Sequence, residues 1–395
     1  MHKQGAILLV AGTCIGSGMI ALPMVLAKLG LLPSVLLMLS IWFIMYYTSL
    51  VNVELNLQAG RGLSLGALGR LFSGKVAEAL GTVSLKLLSY SLLAVFIYGG
   101  SSIVQQLLST MQCDYSFTQI ASCYTLATVL ILLLPIKFID YFNRMLFIGL
   151  VAVVLLLVVG LTLSIEWSNL PLVSRQYTDL ASWAAVVPVV FTSFGFQVIF
   201  HTLTNYCGKD PKVLKSAFFW GSLIPAVVYI LWTCSTLSAV HHDSPAFYSQ
   251  MIEGKAEVGE LIQVLSGITQ WESLQVLVWA ISLLAIATSV LGVGAGLCES
   301  LRVMLPKSIS GQNARSLLAA LITVLPAYAV VMCVPNAFIA VLGFAGMILA
   351  VIAVLLPVYL LSKLKTDGRY YQELRKKGLI VLSTVAALAV IICEI

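Results

Sequence analysis

Long apolar runs recur along the whole chain, each about as long as a bilayer-spanning helix. A spanning helix needs about 20 apolar residues, and eleven stretches of the sequence meet that length. Polar residues gather in the connections between them. The pattern predicts an all-α integral membrane protein with a single transmembrane domain over residues 1–395. The predicted spans are residues 4–27, 32–57, 78–108, 117–136, 140–165, 182–206, 212–238, 272–300, 315–333, 336–362 and 377–393.

The first span is interrupted by the segment GTCIGSGMIALP at residues 12–23. Its three glycines, two hydroxyl residues and one proline disfavour a continuous helix. In a bilayer, irregular backbone persists only where protein covers it or where it lines a water-filled cavity. Its free N–H and C=O groups can bind a carboxylate, an ammonium or a small cation. The alternative is a helix–helix contact through small residues, for instance Gly12 and Gly16.

The sixth span carries a second interruption, VVPVVFTSFGFQVIF at residues 186–200, with Pro188, Thr192, Ser193 and Gly195. The interrupted spans lie five apart, so the two halves of the chain have opposite orientations in the membrane. Interrupted spans at matching positions of two inverted halves indicate a transporter binding site. We therefore predict a pocket between spans one and six. The halves would be residues 4–165 and 182–362, with one extra helix at 377–393.

Composition and charge agree with a multi-pass membrane protein. Hydrophobic residues make up 60% of the chain and charged residues 10%, whereas soluble proteins carry about 25% charged residues. With a cytoplasmic N-terminus, 18 of the 22 Lys and Arg residues fall inside, 3 fall outside, and Lys86 falls on neither side. This is the bias that the positive-inside rule requires. Topology thus accounts for the net charge of +6, and nothing indicates a nucleic-acid partner.

Two other function classes lack their signatures in the sequence. A channel usually carries a repeated pore-lining motif or a ring of acidic residues. An enzyme within the membrane would need a nucleophile and base, or a metal, at depth. The acidic residues lie close to predicted span ends, and the eight cysteines show no CxxC spacing. We predict no enzymatic activity, no cofactor and no metal site.

The two interruptions, together with ATSVLGVGAGL at 287–297 and FNRMLF at 142–147, resemble the bacterial aromatic amino acid permeases. These tyrosine- and tryptophan-specific transporters belong to the hydroxy and aromatic amino acid permease family. The resemblance covers essentially the whole chain. It implies a fold like that of the leucine transporter, with an inverted repeat of five plus five helices. It also implies proton-coupled uptake of an aromatic or hydroxy amino acid across a bacterial inner membrane.

The resemblance also assigns candidate substrate contacts. The substrate's carboxylate would meet backbone N–H groups around Thr13, Gly16, Ser17 and Gly18. Its ammonium would meet carbonyls of both interruptions and the hydroxyl of Thr192 or Ser193. The side chains of Phe191, Phe194 and Phe196 could stack on an aromatic ring, although successive helix residues point in different directions; Gly195 lies among them. Overall likeness favours tyrosine over tryptophan or phenylalanine as the substrate.

The coupling cation has candidates in two other spans. Thr288 and Ser289 resemble the hydroxyl pair of a sodium site in sodium-driven members of the wider fold. Alternatively, these hydroxyls bond back to carbonyls one turn earlier. Lys86 lies within the third span, one turn before Tyr90 on the same helix face, and Tyr90 is a further candidate substrate contact. A charged residue in a span is a functional hypothesis, and a desolvated lysine suits a proton carrier. The alternative is that Lys86 extends to the cytoplasmic interface. The family resemblance favours protons over sodium.

Overall fold

The computed structural model describes residues 2–16, 18–164, 170–196, 200–268, 272–306, 311–334, 337–364 and 370–395. Over these residues the chain is helical and contains no strand. Each predicted span coincides with one helix or with two consecutive helices. The helices are α1 (His2–Cys14), α2 (Gly18–Leu26), α3 (Leu31–Gln58), α4 (Leu65–Phe72), α5 (Lys75–Thr110), α6 (Phe117–Leu132), α7 (Ile136–Ser164), α8 (Leu180–Ser193), α9 (Phe200–Tyr206), α10 (Pro211–Asp243), α11 (Pro245–Glu253), α12 (Val258–Ile268), α13 (Glu272–Met304), α14 (Gln312–Cys333), α15 (Ala337–Ala350), α16 (Leu356–Lys363) and α17 (Lys377–Glu394).

Seven helices of the described chain are each long and apolar enough to cross a membrane. They are α3, α5, α10, α13 over Val276–Met304, α14 over Asn313–Cys333, α15 continued through α16, and α17. The pair α1 and α2, bent by 49° at its junction, makes an eighth if it counts as one span. The chain is therefore a multi-pass membrane protein.

Polar residues in the connections start several helices. Ser116 accepts a hydrogen bond from the Gln119 N–H, and the Gln119 side chain accepts one from the Ser116 N–H, which makes a capping box at α6. Asp179 caps α8 more simply, because its carboxylate accepts a hydrogen bond from the Ala181 N–H at 3.2 Å. Asp210 accepts from the N–H of Lys212 at 2.8 Å, just before α10. Such caps bond N–H groups that have no partner within the helix.

The span formed by α15 and α16 contains a local irregularity. Between α15 and α16, residues Val351–Leu355 form a π-helical turn, and Pro357 follows it in the first turn of α16. Proline has no N–H to offer to the preceding turn of a helix, so the backbone shifts to a wider hydrogen-bond pattern there. Gly346 of α15 lies close to the Pro188 carbonyl of α8.

The core of the bundle surrounds α2 and α8. All nine residues of α2 are buried, as expected for a helix that is apolar on every side. The helix α2 packs on α8, α1 packs on α10, and α8 packs on α15. Large exposed apolar side chains lie instead on outer helices, such as Leu126 of α6 and Ile392 of α17. This arrangement places the two interrupted stretches at the centre of the molecule.

Candidate functional site

The first interruption is the junction of α1 and α2, where two glycines allow other helices to approach closely. A Cβ atom on Gly16 would lie 2.9 Å from the Ser289 Oγ of α13. A Cβ atom on Gly18 would lie 2.6 Å from the Tyr229 hydroxyl oxygen of α10 and 2.9 Å from the Ser193 Cβ of α8. Neither position has room for a side chain. The junction therefore adjoins three helices that are distant from it in sequence.

Gly12 has a different role from the other two glycines of this segment. A Cβ atom there would overlap the Phe147 ring of α7. Gly12 therefore packs a helix against a helix, as the small-residue alternative predicts for this position. Thr13 lies in the last turn of α1, and Ser17 lies outside the described residues.

The second interruption begins where α8 ends at Ser193. The Phe194 N–H donates to the Phe191 carbonyl at 3.3 Å, and the Gly195 N–H donates to the Thr192 carbonyl at 2.9 Å. These tight turns end the helix five residues after Pro188, which lies inside α8. A Cβ atom on Gly195 would lie 2.8 Å from Leu349 of α15. The stretch resumes as a helix at Phe200, and residues 197–199 lie outside the described chain.

The two interruptions contact each other through the phenol of Tyr229. Its hydroxyl donates to the Cys14 carbonyl at 2.6 Å and lies 3.3 Å from the Ser193 carbonyl. Cys14 ends α1 and Ser193 ends α8, so both carbonyls belong to last turns, where acceptors lack intrahelical partners. We call Cys14, Gly18, Ser193 and Tyr229 the junction cluster. Tyr229 itself is fully buried.

Sequence reasoning did not find the two aromatic donors of α10. One turn beyond Tyr229, the Trp232 indole N–H donates to the Met19 carbonyl of α2. The stretch 212–238 contains Pro225, one turn before Tyr229, but α10 continues through it. A lone proline does not distinguish these two residues from ordinary aromatic residues of a membrane helix. Their spacing of three places them on one helix face. That face forms a third wall beside the two junctions.

The four candidate hydroxyls all bond back to their own helices. Ser193 donates to Val189 O and Ser289 donates to Ala285 O, at 2.9 and 2.7 Å. Thr288 donates to Leu284 O at 2.9 Å. Thr192 also reaches another helix, because its Oγ1 lies 2.9 Å from both Pro188 O and Leu342 O of α15. Such back-bonding is common for serine and threonine in membrane helices.

The three candidate phenylalanines are buried and point in different directions. The Phe194 ring packs edge-on against Tyr229 at 5.5 Å. The Phe196 ring stacks on Phe218 at 5.9 Å. Phe191 is also almost fully buried. Of the three, Phe194 is therefore the aromatic residue beside the junction cluster.

Lys86 and Tyr90 contact helices other than the interrupted ones. The Lys86 ammonium donates to the Met304 thioether in the last turn of α13. The Tyr90 hydroxyl donates to the Ile322 carbonyl of α14 at 2.9 Å. Their sharing of one helix face agrees with their spacing, and both contacts lie on the side of α5 that faces α13 and α14.

Comparison of the sequence with known proteins identifies the family of this chain. The model of the tryptophan/tyrosine permease family matches residues 2–394. The chain belongs to the tryptophan/tyrosine permease family. Its relatives are permeases rather than enzymes, and the resemblance drawn from the interrupted segments is confirmed.

Individual relatives match over nearly their full lengths. The tyrosine-specific transport system 1 of Haemophilus influenzae is 31% identical over 401 residues, covering 100% of this chain and 96% of that protein. The tryptophan-specific transport protein of Pseudomonas aeruginosa is 29% identical, covering 89% of this chain and 84% of that protein. The tyrosine-specific transport system 2 of H. influenzae is 28% identical, covering 92% and 88%.

Proposed function

We propose that this permease imports an aromatic amino acid, with L-tyrosine as its preferred substrate, by proton symport and alternating access. The observation that carries the proposal is the junction cluster, where the ends of two interrupted helices meet in a member of this family. The names of its relatives support an aromatic substrate. The higher identity to a tyrosine-specific protein favours tyrosine over tryptophan, which is the alternative.

The substrate's charged ends match the backbone groups at the junctions. The N-terminus of α2, around Gly16 to Gly18, carries the positive end of a helix dipole and suits the α-carboxylate. The carbonyls of Cys14 and Ser193 end their helices and suit the α-ammonium. The Phe194 ring lies beside them for stacking on the substrate's ring. Thr192 and Gly195 hold α8 against α15 beside the site, through Leu342 O and Leu349.

Alternating access requires these groups to separate and close again. In the structure the space between Gly18 and Ser193 is filled by the Tyr229 hydroxyl, so a bound amino acid must push the junctions apart. We propose that each interrupted pair is one broken span of an eleven-span, inner-membrane protein with a cytoplasmic N-terminus. The inverted repeat of residues 4–165 and 182–362 then makes the two halves move against each other, and 377–393 is the extra helix.

The coupling cation is proposed to be the proton, with Lys86 as its carrier. The alternative is a sodium ion bound by Thr288 and Ser289. The Ser289 hydroxyl lies beside Gly16 at the first junction. Hydroxyl oxygens suit a hard cation.

Transport by the full-length protein in liposomes tests the proposal. Labelled L-tyrosine should accumulate above its external concentration under an inward proton gradient, with or without sodium. Unlabelled tyrosine should compete better than tryptophan or phenylalanine. Internal unlabelled substrate should drive counterflow, which a channel does not support. Accumulation under a sodium gradient alone would overturn proton coupling, and a lack of saturable counterflow would overturn the carrier.

A further inference from the structure

Over the described residues, the junction cluster has fewer donated protons than acceptor sites. Two carbonyl oxygens, of Cys14 and Ser193, face one Tyr229 hydroxyl at 2.6 and 3.3 Å. Each carbonyl oxygen has two lone pairs and a phenol has a single proton. The hydroxyl forms a short hydrogen bond with the Cys14 carbonyl and a long, weak one with the Ser193 carbonyl. An incoming group with several N–H donors would therefore find acceptors here.

We propose that Tyr229 completes the subsite for the substrate's α-ammonium and makes the site selective for amino acids over their deaminated analogues. In the empty site its proton joins the ends of α1 and α8. In the loaded site the ammonium donates to both carbonyls, and the phenol oxygen, which the Gly16 N–H also approaches, accepts the third N–H. This inference rests on the proposed function and adds a residue on α10, outside both interrupted helices.

The packing around Tyr229 favours a fixed position for its oxygen. The ring is fully buried and packs edge-on against Phe194. One turn away, Trp232 bonds to the Met19 carbonyl, so α10 is attached to the start of α2 as well. The phenol oxygen also lies where a side chain on Gly18 would lie. A glycine at 18 and a tyrosine at 229 thus fit each other sterically.

Removing the hydroxyl changes the empty and the loaded site unequally. The empty site loses a neutral hydrogen bond, whereas the loaded site loses one to a charged group. Bonds to charged groups are roughly twice as strong as neutral ones. The loaded site therefore loses more, and Tyr229→Phe should weaken binding of the amino acid by about tenfold. A ligand without the ammonium should be nearly insensitive to the change.

The test measures dissociation constants of two ligands on the purified full-length protein. The ligands are L-tyrosine and its deaminated analogue 3-(4-hydroxyphenyl)propionate. Tyr229→Phe keeps the ring that packs on Phe194. Tyr47→Phe is the matched control, because the buried Tyr47 hydroxyl also donates to a backbone carbonyl, Leu374 O at 2.6 Å, and Tyr47 packs in a different cluster of buried residues from Tyr229.

We expect Tyr229→Phe to weaken the binding of L-tyrosine about tenfold and the binding of the analogue by less than about twofold. Tyr47→Phe should change the binding of neither ligand. Equal weakening of both ligands, or no change for either, would overturn it. If Tyr229→Phe does not fold, 3-fluorotyrosine at position 229 replaces it. Its fluorine resonance should shift with L-tyrosine and not with the analogue, and equal shifts would overturn the inference.

The same protein separates this inference from the proposed function. All twenty amino acids are first tried as competitors for the parent. If a non-aromatic amino acid binds and the aromatic ones do not, the proposed substrate is wrong, and the Tyr229 test is run with that amino acid and its deaminated counterpart. If no amino acid binds, both proposals are overturned.

Discussion

Two regions of the molecule connect separate segments of the chain through buried polar groups. The two regions differ in the number of hydrogen-bond donors that each acceptor group has. In the junction cluster, one phenol proton serves two carbonyls. In the second region the buried Glu54 carboxylate of α3 accepts from the Gln58 amide at 2.8 Å and from the N–H groups of Tyr370 and Tyr371 at 3.3 and 3.1 Å. We call these four residues the Glu54 cluster.

The difference in donors separates a binding site from a structural anchor. A carboxylate with three donors needs no further ligand, because little of its acceptor capacity is left. The Glu54 cluster also has support from its neighbours. The Tyr371 hydroxyl donates to Pro211 O at 2.6 Å, and the Arg375 guanidinium donates to Leu364 O at 2.8 Å. We infer that the Glu54 cluster fixes residues 370–376 to α3. The junction cluster, in contrast, can still accept hydrogen bonds from the N–H groups of a ligand.

The largest effect is expected from filling the junctions themselves. Gly16→Leu and Gly195→Leu should each abolish uptake of L-tyrosine, because side chains there would collide with Ser289 and with Leu349. Uptake and membrane insertion are measured together. Gly292→Leu is the control, since Gly292 lies one turn from Ser289 on α13 and has no atom within 4 Å of its added Cβ. Normal uptake by a correctly inserted Gly16 or Gly195 variant would make that junction a packing feature only.

Replacing Lys86 tests whether a charge outside both clusters carries the coupled proton. If it does, Lys86→Met should lose uphill accumulation and keep exchange across the membrane, since the junction cluster is intact. Accumulation as a function of pH and counterflow are measured for the same preparations. Lys86→Arg keeps the charge but cannot deprotonate, so it should resemble Lys86→Met. Accumulation by both variants at the parent's level would instead agree with a lysine that extends to the interface, as its bond to Met304 at the end of α13 suggests.

The sequence predicted the helices and the interruptions because both depend on local chemistry. Apolar length marks a span, and Gly12 to Pro23 or Pro188 to Gly195 disfavour a regular helix. The span count stays a prediction, since the stretches 4–27, 117–136, 140–165 and 182–206 are not among the seven long apolar helices, and 4–27 makes an eighth only as a bent pair.

The partners of the junctions could not be predicted from the sequence. Tyr229 lies 215 residues from Cys14 and 36 from Ser193 along the chain, and its own helix is continuous across Pro225. The separate role of Gly12 was equally hidden, because only the fold places Phe147 against it. Contacts between distant helices depend on how the bundle packs. A single sequence, considered without an alignment, does not show which helices pack together.

A smaller effect, on stability rather than transport, is expected from the Glu54 cluster. Glu54→Gln leaves one acceptor oxygen where two served three donors, so at least one partly buried N–H loses its partner. Such a loss costs about 1–3 kcal/mol and should lower the thermal unfolding midpoint of the purified protein. Residues 370–376 should also exchange their amide hydrogens faster.

The control for that prediction is Glu78→Gln. Glu78 pairs with the exposed Arg70 at 3.3 Å, and such surface pairs contribute about 0–1 kcal/mol. Binding of L-tyrosine by Glu54→Gln should equal that of the parent, in contrast to Tyr229→Phe. A large loss of binding with unchanged stability would reverse the roles that we assign to the two clusters.

The smallest effect concerns the connection between α11 and α12. The Glu257 carboxylate there accepts a hydrogen bond from another helix, but it has fewer donors than the Glu54 carboxylate has. The Tyr98 hydroxyl of α5 donates to its carboxylate at 3.0 Å. Burial raises the pKa of Glu257 above its usual 4.5, and the charge of Glu260 raises it further, while the Tyr98 hydrogen bond opposes both. A raised pKa means that the folded state holds this proton more tightly than the unfolded state does.

The packing of α12 on α5 should therefore be strongest below about pH 4.5 and should weaken as the pH rises through the raised pKa of Glu257. Amide hydrogen exchange of α12, corrected for the intrinsic pH dependence of exchange, measures this change. Glu257→Gln is neutral at every pH and should remove the dependence. Glu253→Gln, on the same connection and paired with Lys255 at 2.7 Å, should retain it. If Glu257→Gln kept the full dependence, another group would be responsible, and the carboxylate would be a structural anchor like Glu54.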